Sequence, residues 1–311
     1  MKIVCLDAAT LGADADLSIF EKLGDFTRYE TTAPEQTALR LQGADVVITN
    51  KVVIDRAVTD ATSLKLICVS GTGVNNVDLA AAKEKNIAVK NVAGYSTNSV
   101  TQHTFACLFT LLNQIKFYGD YAQSGEWVKS EIFTNLSAPI TELNGKNFGV
   151  VGLGEIGRNV ARIAAAFGAN VSYYSTSGAN TNAEFKRRNL DELLQTCDVV
   201  SIHAPLNENT RNLIKERELN LMKSGAVLMN FGRGGIVDES AVARAVDERN
   251  LRFAADVLEH EPMAENHPFL SVKNGQNLLI TPHVAWGSVE ARKTLIKKIA
   301  ENIENFVKER G

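Results

Sequence analysis

Short apolar, β-branched runs alternate along this chain with stretches whose apolar residues recur at helical spacing. In the first hundred residues, 3–6, 46–49 and 66–70 read as strands, 87–89 is a shorter candidate, and 15–23 and 35–42 carry a helical period. A long helix is expected over 98–112. Beyond it, strands are expected at 148–151, 170–174, 199–203, 226–230, 253–257 and 278–281, with helices at 158–167, 190–195, 215–222 and 239–247. Continuous apolar strands alternating with helices mean parallel sheets covered on both faces. A last helix starts near Ser288, with Leu295, Ile296, Ile299, Ile303 and Phe306 along one face. Both termini then lie outside the central series, so this helix is expected to pack back on the first domain.

The pattern is sharpest from Asn147 to Gly157, where a strand runs into Gly152-Leu-Gly154-Glu155-Ile156-Gly157 and straight on into a helix. In that order each glycine has its own mechanical role, with a tight turn at Gly152, room for a pyrophosphate at Gly154, and close helix-on-strand packing at Gly157. Amides at the helix start and the positive end of its dipole would hold the phosphates. An ordinary strand-to-helix turn can carry the same glycines, but the flanking strand and helix favour a dinucleotide. The strand at 66–70 also ends in glycines, Gly71-Thr72-Gly73, whose exposed amides suit an anion. On local grounds a plain glycine turn before a helix, with Asp78 near its cap, fits equally well.

A length of 311 residues allows roughly two domains, each with its own core. The net charge of -3 gives no reason to expect nucleic acid or an anionic membrane as partner. Cys5, Cys68, Cys107 and Cys197 are widely spaced without a Cys-x-x-Cys pair, and read as small core residues of a reducing compartment. No His-x-x-His or cysteine cluster suggests a metal. The N-terminus is a strand pattern ending in Asp7 rather than a signal peptide, and no apolar stretch reaches the ~20 residues that span a bilayer. A cytoplasmic location is therefore expected. Between the 98–112 helix and the glycine loop, Trp127, Ile132, Phe133 and Leu136 form an apolar arm longer than a connection requires, which suggests cover for a second copy in a homodimer.

Candidate chemistry gathers at strand ends. The strand at 226–230 runs into Phe231-Gly232-Arg233, the strand at 253–257 leads to Glu261, and the strand at 278–281 leads to Pro282-His283. This trio suits reduction of a 2-keto acid. A guanidinium binds a carboxylate through two parallel hydrogen bonds and so orients the keto carbon. A histidine beside that carbon can give a proton to the developing alkoxide, and a carboxylate on its far nitrogen stabilises imidazolium and fixes the tautomer. The hydride comes from the cofactor. Taken singly, Arg233 suits a turn, Glu261 a solvent-facing acid and His283 a satisfied histidine after a proline; their joint position at the ends of a nucleotide-binding sheet favours chemistry. His203, which ends a strand before Ala204-Pro205, is a candidate for lining the cofactor site. His103 reads as structural, and His260 and His267 as loop residues.

Over essentially its whole length the chain resembles the D-isomer-specific 2-hydroxyacid dehydrogenases. The matching segments are Gly152-Leu-Gly-Glu-Ile-Gly157, His203-Ala-Pro-Leu206 with Thr210, Asn230-Phe-Gly-Arg-Gly-Gly235, Asp256-Val-Leu-Glu-His-Glu-Pro262 and Pro282-His-Val-Ala-Trp286. The resemblance implies that Arg233 binds substrate, that His283 is the acid/base with Glu261 as its partner, and that Thr72 and Gly73 offer amides to the substrate carboxylate. It also implies that Thr210, Phe231, Gly232 and Asp256 approach the cofactor, as do Glu155, Ile156, Ala204 and Pro205 within the matched segments. The implied fold is α/β, with a Rossmann-type nucleotide domain (98–286) inserted into a flavodoxin-like substrate domain (1–97 plus 287–311), both doubly wound parallel sheets. The active site would lie in the cleft between them. Residues 95–100 and 127–143 resemble the glycerate dehydrogenase or hydroxypyruvate reductase branch. The alternatives are a D-lactate-type dehydrogenase with a more apolar pocket and a non-catalytic NAD(H)-sensing regulator of the same fold; the intact Arg, Glu and His favour an enzyme.

One departure bears on the cofactor. An NAD-specific site places Asp or Glu at the end of the second strand, about 20 residues after the glycine loop. Here that strand ends Tyr174-Ser175-Thr176-Ser177-Gly178, and no acid occurs between Gly157 and Glu184. Nothing there repels a 2′-phosphate, and Ser175, Thr176 and Ser177 can donate hydrogen bonds to it; Lys186, Arg187 and Arg188 are candidates for added charge that the sequence does not place. NADP(H) use or dual specificity is therefore favoured over strict NAD(H), although a short polar turn would still allow NADH to bind through its pyrophosphate and adenine.

Overall fold

The computed structural model describes residues 1–179 and 184–309. The chain divides into two compact units, Met1–Ser96 with Gly287–Gly311, and Thr97–Trp286. Each is a parallel sheet flanked by helices, as the alternation of apolar runs and helical periods predicts.

In the first unit, β1 (Lys2–Cys5), β2 (Asp25–Arg28), β3 (Val46–Thr49), β4 (Leu66–Val69) and β5 (Ala88–Lys90) lie in the order β2-β1-β3-β4-β5, with all pairings parallel. β3 and β4 are buried at every position, which is why they read as unbroken apolar runs. β2 was not expected. It is an edge strand with exposed ends, Asp25 and Arg28, so it has no apolar signature. The helix expected over 15–23 is limited to Ser18–Glu21, and the one over 35–42 divides into a 3-10 turn, Pro34–Gln36, and a short helix, Thr37–Arg40. The terminal helix, Val289–Lys308, belongs to this unit and packs against β4, with Leu295, Ile299 and Ile303 buried. Where the strand order reverses, between β1 and β3, the Asp7 carboxylate is buried and accepts the amides of Asn50, Lys51 and Val52 at 2.7–3.2 Å. It thereby fixes the loop that leaves β3.

In the second unit, β6 (Asn147–Val151), β7 (Asn170–Tyr174), β8 (Lys186–Arg187), β9 (Val199–Ile202), β10 (Val227–Asn230), β11 (Arg252–Ala255) and β12 (Leu278–Ile280) form one parallel sheet in the order β12-β11-β10-β9-β6-β7-β8. The order reverses between β6 and β9, and the carboxyl ends of strands at such a reversal are where open α/β sheets bind ligands. The glycine turn follows β6 and His203 follows β9, so the sheet puts both at that point. Helix Thr97–Leu112 runs one residue longer than expected, and a further helix, Ile115–Gln123, follows it. Beyond that helix Trp127, Val128, Ile132, Phe133 and Leu136 are all exposed.

All four cysteines are free and buried. Burial pushes the Cys68 thiol up to about 12, far from the reactive thiolate range. Among the described residues no cluster of His, Cys, Asp or Glu could hold a metal, and no helix is long and apolar enough to cross a membrane.

Candidate functional site

The turn after β6 is built by crowding. Gly152 has φ +88, and a Cβ there would meet Ala204 Cα and N at 3.0 Å. A Cβ on Gly232, in the loop after β10, would meet the Ala204 carbonyl oxygen at 2.6 Å. A Cβ on Gly157 would collide with the Gly152 carbonyl, which explains the bare backbone where the helix Glu155–Ala166 crosses the turn. Gly154 differs. A Cβ there meets nothing within 4 Å among the described residues, so none of them demands a glycine. Bare backbone facing open space at the start of a 12-residue helix is a cradle that fits a pyrophosphate.

The neighbouring residues of the loop are tied to the chain around them. Thr97 Oγ1 donates to Glu155 Oε1 at 2.9 Å, and Ile156 packs against the core. Thr210 is fully buried, its hydroxyl donating to Pro205 O at 2.6 Å and accepting from Asn207 N at 2.8 Å, so it fixes the loop that carries His203, Ala204 and Pro205. His203 stacks on Phe231 with ring centroids 6.4 Å apart and 17° between planes. Its Nε2 pairs with Ser201 Oγ at 2.8 Å, while its buried Nδ1 has no hydrogen-bond partner among the described residues. The Gly152 amide donates to Tyr174 O at 3.0 Å and so ties the turn to the end of β7. There Ser175 is buried, and Ser175 to Gly178 form a turn closed by Gly178 N donating to Ser175 O at 3.2 Å.

Three adjacent strands deliver the polar trio. Arg233 follows β10, Glu261 follows β11 and His283 follows β12. His283 Nδ1 and Glu261 Oε2 are 2.7 Å apart, and Glu261 Oε1 accepts the Leu258 amide at 3.1 Å, so the carboxylate is aimed from behind. Nε2 is left as the imidazole nitrogen facing away from Glu261. Arg233 is half-buried. Its Nη1 donates to Gly232 O at 2.8 Å, and it has no ion-pair partner among the described residues. Asn230 anchors this loop, donating to Arg233 O at 2.9 Å and accepting the Gly232 amide at 3.1 Å.

Sequence reasoning missed what holds His283. Its φ of +54 is uncommon for a residue with a side chain. The carboxylate of Asp256, 2% exposed, accepts Thr281 Oγ1 at 2.6 Å and the amides of Val284 and Ala285 at 2.8 Å each. His103 Nε2 lies 3.0 Å from the same Thr281 hydroxyl. Asp256 was expected at the cofactor; its side chain grips the turn that carries His283 on both sides. The Asp256-to-Pro262 segment pointed to this position, but no spacing rule links it to residue 281. His267, expected as a loop residue, is buried; its Nε2 is 2.9 Å from Glu239 Oε2 and its Nδ1 accepts the amide of Phe269.

Thr72 and Gly73 lie in the first unit and are exposed beyond β4. Thr72 Oγ1 donates to Val92 O at 3.1 Å, Thr72 O accepts from Asn91 Nδ2 at 2.6 Å, and Asp78 caps the helix Leu79–Glu84 through the Ala81 amide.

Comparison with known proteins agrees with this fold. The model of the D-isomer specific 2-hydroxyacid dehydrogenase NAD binding domain matches residues 105–285. Glycerate dehydrogenase of Methylorubrum extorquens is 36% identical over 98% of this chain and 96% of its own. Hydroxypyruvate reductase of Blautia hydrogenotrophica is 34% identical over 99% of this chain and 97% of its own. The solved structure of the acyclic imino acid reductase Bsp5, in complex with NADPH and D-Arg, is 28% identical and superposes with a TM-score of 0.85 over 99% of this chain and 98% of its own. The chain belongs to the D-isomer specific 2-hydroxyacid dehydrogenase family, and as a member of it is an NAD(P)-dependent oxidoreductase.

The buried His203 ring gives a pH signature. Burial holds its pKa at about 3, against ~6.5 for an unperturbed imidazole. Unfolding therefore takes up a proton, and stability falls as pH drops from ~6.5 toward 3. In thermal melts across that window, His203→Gln is expected to show a shallower loss of Tm than the parent protein. Parallel curves would place the acid sensitivity elsewhere.

Proposed function

We propose that the protein reduces a small 2-keto acid of the hydroxypyruvate or glyoxylate type to the D-2-hydroxy acid, with hydride from NAD(P)H. The observation that carries this reading is the 2.7 Å pair of His283, after β12, and Glu261, after β11, the strand next to the one that delivers Arg233. Bound at the glycine turn, the nicotinamide dinucleotide supplies the hydride. Arg233 takes the substrate carboxylate through its guanidinium fork and so fixes the keto carbon. Glu261 holds Nδ1 of His283, and Nε2 delivers the proton to the oxygen as charge develops there. In the reverse direction the same Nε2 removes the hydroxyl proton. The lack of an acid between Gly157 and Glu184 supports NADP(H) use or dual specificity. The names of the glycerate and hydroxypyruvate relatives favour a small polar substrate over the D-lactate alternative.

The apolar arm supports a homodimer. Val128 and Phe133 are 89% and 88% exposed, a state that isolated apolar side chains tolerate but a cluster with Trp127, Ile132 and Leu136 does not favour.

His283→Ala is expected to lower kcat by roughly 10²–10⁴-fold, the usual scale of general acid catalysis, while calorimetric binding of cofactor is retained. Arg233→Ala should chiefly raise KM for the keto acid. Near-normal kinetics in either variant would remove that residue from the mechanism. Light scattering at micromolar concentration should give twice the chain mass, and a monomer there would refute the dimer.

A further inference from the structure

The turn Ser175 to Gly178 and the short edge strand β8 come together in a way the sequence does not reveal. β8 pairs with β7 in parallel register, Ser172 with Lys186 and Tyr173 with Arg187. This places Arg187 beside the turn that ends β7: a Cβ built on Gly178 would lie 4.0 Å from Arg187 Nη2. The three neighbouring cations are not equivalent. Arg188 is paired with Glu192, and Lys186 precedes Arg187 on the strand, where alternation sends it to the opposite face. Arg187 is exposed and has no ion-pair partner among the described residues. The nearest acid in sequence, Glu184, is taken by Arg162 at 3.1 Å.

We propose that Arg187, reaching from β8 to the turn after β7, is the residue that recognises the 2′-phosphate of NADP(H). The inference rests on the NADP(H) use proposed above and gives it an atomic cause. At this turn a dinucleotide-binding sheet presents the adenosine ribose, and a carboxylate there would select the 2′-hydroxyl. The chain has hydroxyls in that position, Ser175, Thr176 and Ser177, and a guanidinium behind them. A guanidinium fork fits a phosphate dianion with paired hydrogen bonds, whereas the ribose hydroxyl of NAD(H) gives it no charge to meet. The discrimination then comes from an attractive element contributed by the adjacent strand rather than from the turn itself.

The test uses the whole protein and two adenosine fragments, 2′,5′-ADP and 5′-AMP, with affinities measured by calorimetry so that turnover plays no part. The parent protein is expected to bind 2′,5′-ADP at least ~10-fold more tightly than 5′-AMP, the scale of a hydrogen bond to a charged group. Arg187→Ala should bring the two within about 2-fold by weakening 2′,5′-ADP alone, and Arg187→Lys should keep part of the preference. An unchanged melting temperature in Arg187→Ala would show that the loss is not one of folding. If the parent prefers 2′,5′-ADP and Arg187→Ala keeps that preference, NADP(H) use stands and Arg187 is not its cause. If the parent shows no preference, both NADP(H) selectivity and the role of Arg187 are overturned.

Discussion

The second unit depends on how closely three strand ends approach one another at the reversal of its sheet. The loops after β6 and β10 both press on the backbone of Ala204, which follows β9, and they do so through Gly152 and Gly232. Any side chain at either position would push the loops apart by the width of a methyl group, and densely packed interiors do not absorb that. Because protein atoms fill this junction, the open space beside Gly154 stands out as room for something other than the chain. The same crowding that shapes the turn therefore leaves one bare, outward-facing backbone segment at the start of a long helix, where the dipole and free amides favour a phosphate.

Around that junction the polar groups divide into those that face the site and those that hold it. Glu261 and His283 pair directly, whereas Asp256 accepts from Thr281, Val284 and Ala285, with His103 Nε2 3.8 Å from the same carboxylate. His283 sits in a left-handed conformation that costs a residue with a side chain about 1 kcal/mol or more, and such conformations persist only where surrounding bonds over-determine them. A buried carboxylate with three donors supplies that restraint, since losing any of these bonds would leave a charge partly unsatisfied in a low-dielectric interior. Thr210 does the same for the loop after β9. Rigid loops of this kind hold reacting groups within the tolerance that hydride and proton transfer require.

Much of this was legible in the sequence where one physical effect dominated. Strands buried at every position read as largely apolar runs, so β3, β4, β9 and β10 were found at or within a residue of their ends, and the glycine turn announced itself by its setting between strand and helix. The apolar edge strands β5 and β12 were legible, but the polar edges were not. β2 and β8 bury little, carry Asp25, Arg28, Lys186 and Arg187, and owe their form to a neighbour rather than to their own residues. The trio at the ends of β10, β11 and β12 could be picked out from spacing, but the grip of Asp256 on residues 281 to 285 could not, because it joins segments 25 residues and more apart without a motif. The placement of Arg187 beside Gly178 was hidden for the same reason.

The proposed mechanism stands or falls on whether a dinucleotide held at Gly152 to Gly157 gives hydride to a 2-keto acid bound by Arg233. The decisive experiment follows reduced-cofactor absorbance at a saturating level of NADH or NADPH while hydroxypyruvate, glyoxylate and pyruvate are added in turn, with chiral analysis of each chiral product. Loss of absorbance with hydroxypyruvate or glyoxylate, and a D-configured glycerate from the former, is the expected outcome. Tight cofactor binding with no turnover of any 2-keto acid, or formation of the L product, would contradict it.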